Sequence, residues 1–250
     1  MYNVIVLGAT FAAAGLAAVY GDACMILEDR PQAGYEFINA IKFGTDYATQ
    51  PQSEEAKKMQ KLLEEKGAFA EGRVNLFPFG SLIYRQLTGK NVLLNVKTVS
   101  IRQVDAGFEV EVYGVSGYRT FKAKRIIDTT ANRIKLSKKT LNLLMAELPP
   151  AGILPAEALE EAWGHPGQCV AKIPVAKDAD YPQARQAVAA FLRQLPESCK
   201  MITFADCFDC QTEGAYPVER DGVVYLPSVG YANPVLAFDG GVLFGRGGEA

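Results

Sequence analysis

Residues 4–7, Val-Ile-Val-Leu, are an unbroken apolar run with no polar position inside it. A short run of that kind predicts a parallel strand covered on both faces. Gly8 ends it, and residues 11–20 follow as a nearly continuous series of Ala, Gly and Leu, which predicts a slender helix able to lie close to a sheet. Residues 24–27 form a second buried strand, with Glu28 at its carboxyl end, 20 positions after Gly8. Residues 53–66 are amphipathic, with Ser53 as the cap and acids in the first turn, and residues 78–87 predict another helix. From Asn91 the pattern becomes a buried strand and then alternating strands that turn at Asp105, Ala106 and Gly107. Ile126 and Ile127 mark a further central strand. Residues 168–175 and 200–207 are strand-like and flank a helical period over 181–195. A last strand at 223–227 leads through a Gly-containing loop to Asn233 and Pro234, placed as N-cap and first residue of a final helix.

The opening strand, turn, helix and second strand ending on an acid have the geometry that dinucleotide binding needs. The turn aims backbone N–H groups and the positive end of a helix at a diphosphate, and the acid accepts hydrogen bonds from ribose hydroxyls. Against G-x-G-x-x-G/A the chain places Gly8, Ala9, Thr10, Phe11, Ala12 and Ala13. The first and last positions agree. Thr10 adds a side chain where backbone approaches phosphate, and also a hydroxyl that can donate to a phosphate oxygen. Glu28 is the candidate for the ribose; Asp29 lies beside it, and Arg30 is a candidate for the ribose or adenine side. Flavin, nicotinamide and a ligand-free unit of the same shape all remain open on this motif.

The stretch VIVLGATFAAAGLAA resembles the opening of FAD-dependent oxidoreductases whose turn reads G-G-T-P-A-G, with Ala9 and Phe11 in place of the second Gly and the Pro. The resemblance extends over residues 1–132 and 221–250. It implies an α/β fold of the glutathione-reductase type: a Rossmann-like FAD-binding domain with a central parallel sheet and an inserted small α+β substrate or cap domain. The expected division is 1–135 with 215–250 for the first and 136–214 for the second. It further implies that Val96, Lys97 and Thr98 lie near the adenine. The segment DTTA resembles the family's DATG, which puts Thr130 and Ala131 under the dinucleotide. Ala232, Asn233, Pro234 and Val235 would begin a helix aimed at the flavin pyrimidine edge. FAD is the expected cofactor, and hydride transfer between flavin and a small-molecule substrate or nicotinamide is the expected activity. A non-catalytic flavin- or nucleotide-binding module or subunit and an NAD-dependent enzyme are the alternatives; oligomerisation or a partner subunit fits the short insertion.

Charge and rarer residues change this picture little. The 250 residues carry 26 basic and 28 acidic side chains, a net charge of -2, so no summed field favours nucleic acid or an anionic membrane. No apolar run approaches about 18 residues, and the amino-terminal segment lacks a basic flank, which together predict a cytoplasmic protein. The five cysteines include Cys207 and Cys210 in a Cys-x-x-Cys spacing. That pair reads as a redox dithiol, as a metal site with Cys199, or as ordinary strand-end thiols, and the adjacent Asp206 and Asp209 raise thiol pKa values. His165 is the single histidine, in a turn-like setting, so neither a Ser-His-Asp triad nor a multi-histidine metal site is built with it. Lys42, Tyr47 and Tyr231 are weaker candidates for groups facing a ligand. No catalytic residue and no metal ligand is assigned.

Overall fold

The first apolar run becomes the middle of a large sheet. In the computed structural model, which describes residues 1–70, 73–161 and 168–247, the chain begins β1 (Tyr2–Leu7), α1 (Phe11–Tyr20), β2 (Cys24–Leu27), α2 (Glu54–Glu65), β3 (Phe69–Ala70), β4 (Arg73–Val74), α3 (Phe77–Leu87) and β5 (Asn91–Leu93). Three consecutive strands follow, β6 (Lys97–Val104), β7 (Gly107–Gly114) and β8 (Gly117–Asp128). The chain continues through β9 (Leu136–Met145), β10 (Leu159–Glu161), β11 (Cys169–Pro174), α4 (Tyr181–Leu192), β12 (Met201–Phe204) and β13 (Asp209–Thr212). It closes with β14 (Val218–Arg220), β15 (Val223–Tyr225) and α5 (Pro234–Gly247).

The eight-stranded sheet has the order β14-β15-β8-β1-β2-β5, with β7 paired to β8 and β6 to β7. β1 lies parallel to β2 and β8, β15 parallel to β8, and β5 parallel to β2. Residues of β1 and β2 are buried because both faces are covered, which is why their sequences do not alternate. β8 does two jobs: residues 117–123 pair antiparallel with β7, and residues 123–128 run beside β1. The β6–β8 meander lies over one face of the parallel layer, where Ile5, Leu7, Met25 and Ile126 meet Val110 and Val112.

Helices cover the other face. Phe11, Leu16, Met59, Leu63, Leu82, Ile83 and Phe238 join Val4, Val6 and Ile26 in one cluster, and full burial of side chains of this size stabilises by roughly 1.5–3 kcal/mol each. α1 and α5 touch backbone to backbone. A Cβ on Gly15 would collide with the Phe238 carbonyl oxygen, and one on Gly241 with that of Ala12. The small-residue composition of α1 is the sequence cause of this approach.

A second, five-stranded antiparallel sheet runs β10-β11-β9-β12, with β13 also paired to β9, and α4 packs Ala184, Val188 and Phe191 against Leu141, Leu143 and Ile173. The sequence pattern predicts only strand, helix and strand in this region; β9 is missed because its first half, Ser-Lys-Lys-Thr, is polar. A polar residue in its second half is also used: Asn142 Nδ2 donates to the Ala40 and Ile41 carbonyls at 3.0 and 3.1 Å, tying this sheet to the segment after β2. Among the described residues no helix is long and apolar enough to cross a membrane.

Candidate functional site

The turn after β1 is closed upon itself. Gly8 has φ +93°, and a Cβ there would sit 2.7 Å from Thr130 Cγ2. Thr10 is the N-cap of α1: its Oγ1 accepts the Ala13 N–H at 3.1 Å and donates to Thr129 Oγ1 at 2.8 Å. The Ala9 N–H donates to Glu28 Oε2 at 2.7 Å, the Phe11 N–H to Glu36 Oε1 at 2.9 Å, and the Ala12 N–H to Ser228 Oγ at 3.3 Å. The donors expected to meet a diphosphate are therefore spent inside the protein, and residues 8–13 are all buried. Glu36 itself is only 2% exposed. Its Oε1 also accepts the Ser228 hydroxyl at 2.7 Å, whereas Oε2 has no hydrogen-bond partner. Burial pushes its carboxyl up to about 7, against the stabilising Phe11 N–H, Ser228 hydroxyl and Lys42 charge.

Beside that turn, the carboxyl ends of β1, β2 and β8 open onto a cleft of about 270 Å³. Gly8, Glu28, Asp29, Val96, Lys97, Thr98 and Thr130, drawn from four separate parts of the sequence, line it together with Asp128, Asn132 and Arg133. The crevice outside the carboxyl ends of parallel strands is where open α/β sheets bind ligands. The Val96 N–H donates to the Glu28 carbonyl at 2.9 Å and fixes the linker from β5 to β6 against the end of β2. Glu28 Oε1 accepts the Arg30 N–H at 2.8 Å; burial and the neighbouring Asp29 raise the Glu28 pKa, opposed by its two backbone donors. Asp128 Oδ1 accepts the Thr130 N–H at 2.9 Å and its hydroxyl at 2.7 Å, and burial still holds its carboxyl above the ordinary value. The Arg30 guanidinium instead lies over the Tyr35 ring, 4.8 Å from its centroid.

The candidates near the final helix fall elsewhere. Ala232 and Tyr231 line a second cleft of about 330 Å³, with Lys42, Thr45, Lys172 and Asp209 among its other walls. Asn233 caps α5 by accepting the Leu236 N–H at 2.9 Å, and its Nδ2 donates to the Thr45 carbonyl at 2.8 Å. Pro234 opens that helix and Val235 is buried beneath it. Ala131 lines a third cleft with Phe208 and Cys210. Tyr47 packs on Phe69 and Phe79, with centroids 4.9 and 6.4 Å away, so it belongs to the helix-side core. Lys42 Nζ pairs with Asp209 Oδ1 at 3.3 Å and donates to the Cys210 carbonyl at 3.1 Å.

Cys207 and Cys210 are free thiols, both buried. Burial drives the Cys207 thiol far above its ordinary range and Cys210 up to about 11, and Cys207 Sγ lies 3.2 Å from the Tyr35 carbonyl oxygen as its donor. Neither is a thiolate near neutrality, the state that dithiol exchange requires. His165 lies outside the described residues. Among the described residues no group of three or more His, Cys, Asp or Glu is placed to hold a metal ion.

Glu36, Ser228, Thr129 and Asp128 were not singled out by the sequence pattern. Glu36 left one trace, an acid in the middle of the apolar segment Ala-Gly-Tyr-Glu-Phe-Ile.

No family model matches the chain, and no curated protein matches it. Solved structures do. BexE, described for oxidation during BE-7585A biosynthesis, superposes with a TM-score of 0.60 at 12% identity over 98% of this chain and 60% of its own. The p-nitrophenol 4-monooxygenase PnpA of Pseudomonas putida gives 0.55 at 14% identity over 98% of this chain and 77% of its own. A flavoprotein/dehydrogenase of Cytophaga hutchinsonii gives 0.53 at 14% identity over the same shares, 98% and 77%. The chain thus spans 60% of the length of BexE. These likenesses show a fold shared with oxidoreductase structures, and the glutathione-reductase type that the sequence resemblance implies is not confirmed by them. The fold is a Rossmann-like α/β layer carrying a smaller cap.

Proposed function

We propose that the protein seats an adenosine group in the cleft at the ends of β1, β2 and β8, with FAD as the candidate source of that group and flavin-dependent oxidoreduction as the candidate activity. The observation that carries this reading is the cleft itself: an acid at the end of β2, the linker residues Val96, Lys97 and Thr98, and Thr130 after β8 share one wall-to-wall space of about 270 Å³. That is just below the roughly 300–1,000 Å³ of clefts that hold drug-sized ligands, which suits one nucleoside. The Glu28 carboxylate and the Lys97 backbone are the groups that would orient ribose and adenine there. A bound flavin supplies the redox chemistry, and the protein supplies position and electrostatics.

The two halves of FAD fit unequally. The adenosine end matches the cleft; the diphosphate does not, because the Phe11 N–H and the Ala12 N–H already have Glu36 and Ser228 as acceptors. The same closed turn favours a second reading, a nucleotide-binding module without turnover.

Amide chemical-shift mapping tests the first claim. Adenosine added to the protein is expected to shift Val96, Lys97, Thr98 and Thr130; shifts confined to other residues, or none at millimolar ligand, would remove the assignment. Enzyme and module are separated by mixing the protein with FAD and a reductant: turnover on an added acceptor marks an enzyme, and binding without turnover marks a module.

A further inference from the structure

We infer that Glu36 is an internal carboxyl group seated at the diphosphate position of the dinucleotide turn, so that the chain as folded admits an adenine nucleoside and discriminates against the diphosphate. This rests on the adenosine reading of the cleft for its ligand, but not for its geometry.

The amino end of a helix offers unpaired N–H donors and a positive partial charge, which is why phosphates and carboxylates settle there. In α1 a carboxylate has done so from within. Glu36 Oε1 accepts the Phe11 N–H at 2.9 Å and the Ser228 hydroxyl at 2.7 Å, and Ser228 Oγ in turn takes the Ala12 N–H at 3.3 Å. The arrangement is held from behind. The Gly34 N–H donates to the Ala9 carbonyl at 2.8 Å, and a Cβ on Gly34, whose φ is +73°, would press to 2.9 Å from the Phe11 ring. Phe37 then packs edge-on against Phe11 with centroids 6.0 Å apart. The segment bearing Glu36 thus lies on the turn by backbone hydrogen bond, glycine contact and aromatic packing.

A diphosphate brought to this helix end would meet a buried acid in place of free donors. Below the carboxyl's titration the charge repulsion is relieved, but the oxygen still occupies the Phe11 N–H. Glu36 Oε2 is buried without a hydrogen-bond partner, so both hydrogen bonds to the carboxyl run through Oε1, from the helix end and from Ser228.

The test compares wild type with Glu36→Ala and Glu36→Gln by calorimetric titration of adenosine, ADP, FAD and inorganic pyrophosphate. Adenosine is expected to bind all three proteins equally. ADP and FAD are expected to bind wild type no more tightly than adenosine does, and to gain about 10-fold or more in Glu36→Ala, where charge-assisted N–H contacts become free. Glu36→Gln keeps the shape and an acceptor oxygen, so its gain is smaller, and it serves if the alanine variant does not fold. Pyrophosphate binding that appears only on removal of the carboxylate supports the inference even if adenosine binds none of the proteins, a result that would sink the nucleoside cleft alone. ADP binding to wild type at least 10-fold tighter than adenosine, or variants that gain affinity for neither ADP nor pyrophosphate, would overturn it.

Discussion

Gly8 and Thr130 pack with no room for a side chain between them: a Cβ on Gly8 falls 2.7 Å from Thr130 Cγ2 while the backbone holds φ at +93°. The contact joins the turn after β1 to the segment after β8, the two edges of the adenosine-sized cleft. Steric overlap and a backbone conformation that L-residues avoid act in the same direction at this position.

Gly8→Ala is therefore expected to destabilise the fold by roughly 2–4 kcal/mol. Urea denaturation followed by circular dichroism reads this as a lower midpoint at unchanged slope. A loss under about 0.5 kcal/mol, the range of an ordinary surface change, would show that the turn relaxes without cost.

Glu36 gives a pH dependence with a definite sign. Its folded carboxyl titrates at about 7, above the ordinary value of 4.5, so the folded state binds this proton more tightly than the unfolded chain does. The stability it contributes is present in full below about 4.5 and is lost as pH rises through about 7. The charged or titratable groups around it are Lys42, Tyr35 and Cys207, and burial keeps the last two neutral over this window. Relative to Glu36→Gln, wild type is expected to lose on the order of 3 kcal/mol between pH 4.5 and 7.5. Glu28 and Asp128, also raised by burial, cancel in that difference. A flat difference across the window would mean that Glu36 is solvated in solution.

The cysteines predict an order of reactivity. Cys24, Cys169, Cys207 and Cys210 are buried, whereas Cys199 is half-buried. A thiol reagent at pH 8 is expected to modify Cys199 first and the other four only after unfolding. Rapid native-state reaction of two further thiols, lost in Cys207→Ser, would restore the redox-dithiol reading.

The sequence was legible where one physical cause dominates a stretch. Residues 11–20 are helical as their small apolar composition predicts, and Cys24–Leu27 is a strand because both faces are covered. Ser53 caps α2 by accepting the Ala56 N–H at 3.3 Å, as a serine ahead of two acids predicts. β9 was hidden because its polar residues serve long-range bonds, Asn142 to a carbonyl 102 positions away. Glu36 was hidden for a related reason. Its partner is the Phe11 N–H, 25 positions earlier, and no local period links an acid in a loop to a distant helix end. Around the cleft, Glu28 and Val96 are brought together by strand order, which the βαβ pattern conveys; the filling of the turn depends on where one side chain points, which that pattern does not convey.

Lys42 and Asp209 supply the last prediction. Their side chains pair at 3.3 Å with relative exposures of 10% and 6%, and the Lys42 ammonium also donates to the carbonyls of Cys210 and Val229. The pair links the segment that carries Glu36 to β13 of the second sheet. Removing one partner of a buried pair leaves the other charge desolvated, which costs about 3–5 kcal/mol, whereas removing both costs much less. Lys42→Met alone is expected to fall in that range by urea denaturation. Lys42→Met with Asp209→Asn is expected to recover more than half, because the neutral amide keeps its contact with Asn142 Nδ2, now 3.3 Å from Asp209 Oδ2. A single variant costing under about 1 kcal/mol would mean the pair is solvated, and additive losses would mean that the two side chains act independently.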